Sequence, residues 1–134
     1  MSRTTERWRG QALIATDEAR FPLDKWQARI TKRVLRYLII DADDSGYVVA
    51  SYREIGTACK LSAPTIKRLI RRLQREFEIV SIVSYTAMSN SHFEMGWLWW
   101  KSHAWHRAKC NAFHVNVDRL LMFAPADVHR IPID

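Results

Sequence analysis

The chain has 134 residues, of which 48% are hydrophobic, and its 21 Lys and Arg outnumber 14 Asp and Glu to give a formal net charge of +7. Few Gly and Pro and the absence of a low-complexity run fit one compact domain that needs no staples. Two cysteines, Cys59 and Cys110, with no apolar signal-like N-terminus, point to a reducing, cytoplasmic setting and not to a disulfide framework; no apolar run is long enough to span a membrane.

Residues 1–20 lack clear periodicity and read as an arm or partly ordered lead-in to a single domain over residues 21–134. The arm carries Arg3, Arg7 and Arg9, which are available to a DNA backbone. From Leu23 to Ile40, the apolar residues Trp26, Ile30, Val34, Leu35 and Leu38 predict a long amphipathic helix with Asp24 as its cap and Arg29, Lys32, Arg33 and Arg36 along it. The segment DADDSG reads as a turn; Asp41, Asp43 and Asp44 lack the further spaced ligand of a calcium loop. YVVASY is short and β-branched enough for a strand.

The stretch from Tyr52 to Phe77 carries most information. Ser51 or Tyr52 opens a short helix with Ile55, Ala58 and Cys59 on it, and Leu61 plugs the turn that follows. Ser62 is a good N-cap for a second helix, Pro64 is tolerated in its first turn, and Thr65 offers a hydroxyl at the positive helix end, where phosphates dock. Ile66, Leu69, Ile70, Leu73 and Phe77 recur at three-and-four spacing and form one apolar stripe. Against it stand Lys67, Arg68, Arg71, Arg72 and Arg75, with no acidic residue from Pro64 to Arg75. Such a face repels itself unless an anion neutralises it.

Ile55, Leu61, Ser62, Thr65, Ile66 and Leu69 together resemble the winged helix-turn-helix family of transcription regulators and plasmid or phage replication proteins. The resemblance runs from Thr31 through the wing, with Lys60 at a turn position that usually holds Gly and Gly56 at a helix position that usually holds Ala. It implies an α+β fold: a winged helix-turn-helix with an extended β wing and an N-terminal helical or arm extension. It also implies that Ser62 to Arg75 is the recognition helix. Ala63, Thr65, Lys67 and Arg68 would then lie nearest base edges, and Arg71, Arg72 and Arg75 on phosphates or outer bases, with Ser62 at the helix start and Lys60 near the backbone.

Charge placement agrees with a nucleic-acid partner. Residues 1–40 hold nine basic and four acidic side chains, residues 41–63 sum to −2, residues 64–77 to +4 and residues 78–134 to zero. The two basic blocks are the recognition helix and the N-terminal part.

After Phe77 the period changes. Ile79, Val80, Ile82, Val83 and Tyr85 predict a strand, TAMSNS breaks it, Phe93 to Trp100 is again strand-like, and Phe113, Val115 and Val117 predict a third run before a last helix capped by Asp118 and ended by Pro125. A wing spanning Glu78 to Val117 is unusually long. Within it Trp97, Trp99, Trp100 and Trp105 concentrate four of the chain's six tryptophans, which suits a subunit or partner interface or the domain's own core. His103, His106, Cys110 and His114 are zinc-ligand types. On a strand, however, Cys110 and His114 lie about 13 Å apart at about 3.3 Å per residue, so a shared ion requires a turn between them.

The chain contains no Gly-rich phosphate loop, nucleophile elbow or CxxC pair, and Tyr37, Tyr47, Tyr52 and Tyr85 lack the paired metal-binding histidines a nicking tyrosine needs. The sequence therefore leads to the expectation of a non-enzymatic protein without cofactor, a homodimer reading an inverted repeat in double-stranded DNA as a transcriptional regulator. The alternatives are a replication or copy-control protein and a protein-interaction module that uses the Trp-rich wing.

Overall fold

A computed structural model describes residues 3–43, 45–83 and 111–129. Helix α1 (Arg3–Glu18) is followed by α2 (Lys25–Asp41), strand β1 (Tyr47–Ala50), α3 (Tyr52–Cys59), α4 (Ala63–Arg75), β2 (Val80–Val83), β3 (Asn111–Val115), α5 (Val117–Leu121) and α6 (Ala126–His129). The fold is mixed helix and strand, with a small antiparallel sheet beside a helical body.

Residues 1–20, read as an aperiodic arm, are instead largely helical. Helix α1 lies antiparallel on α2: Arg9 donates to the Ile39 and Ile40 carbonyls near one end, while Asp17 receives Lys32 and Arg36 at the other. Its buried residues are Gln11, Ala12, Ala15, Thr16 and, just past its end, Ala19. Small and polar residues on the inward face leave little hydrophobic contrast to detect, yet they allow close helix approach.

Helix α2 forms where expected. The Asp24 carboxylate accepts from the Gln27 amide at 2.8 Å, and Ile30, Val34, Leu35, Leu38 and Ile39 are buried. Trp26, expected on the core stripe, is 53% exposed; it stands in the first turn, at the edge of the apolar face. Asp43 closes the next turn by accepting from the Ser45 and Tyr47 amides, each at 2.9 Å. That geometry bears out the turn reading of the acidic segment.

The sheet has the order β1-β3-β2 among the described residues. Phe113 of β3 faces Val48 of β1 on one side and Ile82 of β2 on the other, and its side chain is fully buried. Just past the C-terminal end of α4, Phe77 joins Phe21 and Phe123 in a ring cluster with centroids 5.2–5.3 Å apart. Helix α5, expected as the last, starts earlier than expected because Asn116, and not Asp118, is its cap, accepting from the Arg119 amide at 3.2 Å, and the short α6 follows Pro125. The strand-like run Phe93 to Trp100 and the tryptophan cluster lie outside the described residues. No helix among the described residues is long and apolar enough to cross a membrane.

Candidate nucleic-acid interface

The arrangement of α3 and α4 follows from two caps and one strained turn. Ser51 and Glu54 form a reciprocal capping box at the start of α3: the Ser51 hydroxyl accepts from the Glu54 amide at 3.0 Å, and the Glu54 carboxylate accepts from the Ser51 amide at 3.1 Å. At the other end Lys60 adopts a left-handed conformation with φ 59° and ψ 44°. The Leu61 amide then donates back to the Gly56 carbonyl at 2.9 Å. Ser62 restarts the chain as N-cap of α4, accepting from the Thr65 amide at 3.3 Å.

Helix α4 buries Ile66, Leu69, Ile70 and Leu73, each stabilising its docking by about 1.5–3 kcal/mol. Apolar burial therefore fixes which side faces outward. That side presents Pro64, Lys67, Arg68, Arg71 and Arg75, all exposed. Among the described residues no carboxylate forms an ion pair with Lys67, Arg68, Arg71 or Arg75. The cations thus keep their charge, and the apolar stripe holds them in one row along the helix.

Other expected site residues are engaged differently. The Thr65 hydroxyl lies 2.8 Å from the Ser62 hydroxyl, inside the cap. Ala63 is half-buried in the first turn. Arg72 turns toward α2, where its Nη1 donates to Gln27 Oε1 at 3.1 Å, and Glu76 stands 4.0 Å from its Nε. Tyr52, at the start of α3, has its hydroxyl pKa raised by burial, an effect that nearby Arg71 partly offsets. Arg7 and Lys60 are exposed, the side chain of Arg3 lies outside the described residues, and Arg9 is committed to the end of α2.

Sequence reasoning missed the roles of three residues. Gln27 orients Arg72. Arg33 Nη1 donates to the Cys59 carbonyl at 3.0 Å and so caps the end of α3. Gly56 provides the close approach of α3 to the turn: a Cβ there would lie 2.5 Å from the Leu61 carbonyl oxygen. Its departure from the usual Ala was the available signal.

His114 sits in β3 with its Nε2 3.2 Å from the Ser45 carbonyl and its ring 4.5 Å from that of Tyr47. Burial lowers its pKa, with the Ser45 carbonyl and Asp43 acting in the opposite sense. It borders a cavity together with Trp8, Ser45 and Asp118. Among the described residues no His, Cys, Asp or Glu cluster has the makings of a metal site, while His103, His106 and Cys110 lie outside them, as do Trp97, Trp99, Trp100 and Trp105. Comparison of the chain with family models, curated proteins and solved structures found no match.

Proposed function

We propose that the chain is a winged helix-turn-helix protein that binds double-stranded DNA in a sequence-specific manner and acts as a transcriptional regulator, with α4 as its recognition helix. The observation that carries this reading is the row Lys67, Arg68, Arg71 and Arg75, exposed on the side of α4 opposite a fully apolar stripe and without ion-pair partners among the described residues. The element order α2, β1, α3, α4, β2, β3 and the strand order β1-β3-β2 support the winged assignment.

In this mechanism α4 enters the major groove, where an α-helix fits. Lys67 and Arg68, nearer the N-terminus of α4, reach base edges, while Arg71 and Arg75 contact phosphates or outer bases. The exposed cations supply the salt-dependent part of the affinity by releasing counterions. A homodimer would present two such helices to the halves of an inverted repeat.

The test is selection from a random-sequence duplex pool at low and at physiological salt, with native protein and with Arg68 and Arg71 both changed to Ala. Enrichment of one motif by the native protein, lost in the double variant, supports the reading. Retention of no duplex at either salt rejects it.

A further inference from the structure

We propose that the cavity between α1, the turn before β1 and the β3–α5 junction is a binding site for a small aromatic amine, with Asp118 receiving the ammonium group and Trp8 the ring. None of the cavity's described lining residues belongs to α4, so the inference is independent of the duplex-binding reading.

The cavity has a volume of about 270 Å³, near the lower end of the range for small-molecule sites. Its walls converge on Gly46. A Cβ built there would lie 3.4 Å from Trp8 Cζ2, 3.4 Å from His114 Nε2 and 3.3 Å from the Val115 carbonyl oxygen. The φ of 87° at Gly46 is one that glycine adopts without steric cost. Close approach at Gly46 thus brings the indole of α1 against the end of the sheet. The Arg9 guanidinium stands over the Trp8 ring, 5.4 Å from its centroid, and is itself committed to the end of α2. Val115 and Val117 add apolar surface to the same cavity.

The polar part of the wall has one sign of charge. In a chain of net charge +7, Asp118 is the cavity's only formally charged side chain among the described residues. It is exposed, and no Lys or Arg among the described residues pairs with it. Asp43, which acts electrostatically on His114, adds negative potential nearby. His114 contributes a further acceptor. Its Nε2 lies 3.2 Å from the Ser45 carbonyl, an atom that can only accept, so Nε2 carries the proton and Nδ1 of the neutral ring accepts. Burial favours that neutral form. Gln11, 4% exposed, is fixed in the wall by donating to the Val128 carbonyl at 3.5 Å.

This wall selects by charge and by shape. An anion entering it meets a carboxylate and no lining cation. A flat apolar body bearing an ammonium group suits both parts: the ring buries against Trp8, Val115 and Val117, and the ammonium donates charge-assisted hydrogen bonds to Asp118.

The experiment is calorimetric titration of the full chain at physiological salt with three probes. Tryptamine carries both ring and ammonium, indole-3-propionate carries the ring with a carboxylate, and ethylamine carries the ammonium alone. The proteins are the native chain, Asp118→Asn, Trp8→Leu and, as control, Asp127→Asn, whose exposed carboxylate on α6 lies outside the cavity. Thermal midpoints are recorded for each. Asp118→Asn, at an exposed position, keeps the test independent of any effect of Trp8→Leu on folding. The native chain is expected to bind tryptamine at a single saturable site and the other two probes at least about tenfold more weakly. Asp118→Asn is expected to lose about tenfold in tryptamine affinity with its thermal midpoint retained, Trp8→Leu about two- to tenfold, and Asp127→Asn nothing. Equal affinity for tryptamine and indole-3-propionate, native tryptamine affinity in Asp118→Asn, or no saturable binding by the native chain would each overturn the proposal.

Discussion

Gly56 and the carbonyl of Leu61 approach so closely that a single added carbon on Gly56 would sit 2.5 Å from that oxygen. The obstructing atom belongs to the backbone, so it cannot swing aside as a flexible side chain would. Gly56→Ala gains about 1 kcal/mol of helix propensity but forces α3 away from the turn, an overpacking cost of about 1–3 kcal/mol. Net destabilisation is expected, read as a lower urea midpoint; an unchanged or higher midpoint would show that the turn yields freely.

Lys60 lies at the other end of the same turn with φ 59°, where a side chain costs about 1–2 kcal/mol relative to Gly. Lys60→Gly relieves that strain, offset by the greater freedom of glycine in the unfolded chain. The expected result is a gain of about 0.5–1 kcal/mol in urea unfolding. If Lys60 contacts the DNA backbone, the same variant binds duplex DNA less tightly, so stability and affinity move in opposite directions.

Ala12 is fully buried where α1 joins the core. Ala12→Leu inserts volume into a closed contact and is expected to cost about 1–3 kcal/mol. A loosely attached arm would tolerate the change, so an unaltered unfolding midpoint would contradict the docking of α1.

His114 offers a pH test. Burial favours its neutral form, so its folded pKa is below the ordinary value of 6.5 and the unfolded chain takes up the proton first. Stability from this residue is therefore complete above pH 6.5 and is lost as pH falls through 6.5 toward the lowered folded value, levelling off below it. Urea midpoints at a series of pH values should show this decline for the native chain and a flatter profile for His114→Gln. Parallel profiles would assign the decline to other groups.

Within α4, Arg68→Ala is expected to relax base choice, at about 1–3 kcal/mol if it reads guanine, whereas Arg75→Ala should weaken all sequences alike. Selected-motif affinities measured beside random duplex distinguish the two. Uniform loss in both variants would remove base reading from Arg68.

Helices α2, α3 and α4 were legible because caps and apolar spacing agreed: Asp24, Ser51 and Ser62 all cap the helices whose starts they mark. Helix α1 was not legible, since Gln11, Ala12, Ala15 and Thr16 acquire meaning only against α2. Trp26 misled because its spacing fits the stripe while its position in the first turn of α2 leaves it 53% exposed. The row of cations could be read from sequence, but not the division of labour within it. Which guanidinium meets a carboxylate and which a neutral oxygen is set by long-range pairings such as Arg72 with Gln27.

Among the described residues, the central strand of the sheet is the last to be made. When a ribosome has delivered β1 and β2, both lack the neighbour they share, and they belong about two strand spacings apart, roughly 10 Å. Val48 and Ile82 find their cross-strand partner only with the arrival of Phe113. Completion of the support behind α4 thus waits on a distant stretch of chain, a topology that favours slow closure. A nascent chain halted before residue 111 would carry the basic helix without its finished sheet.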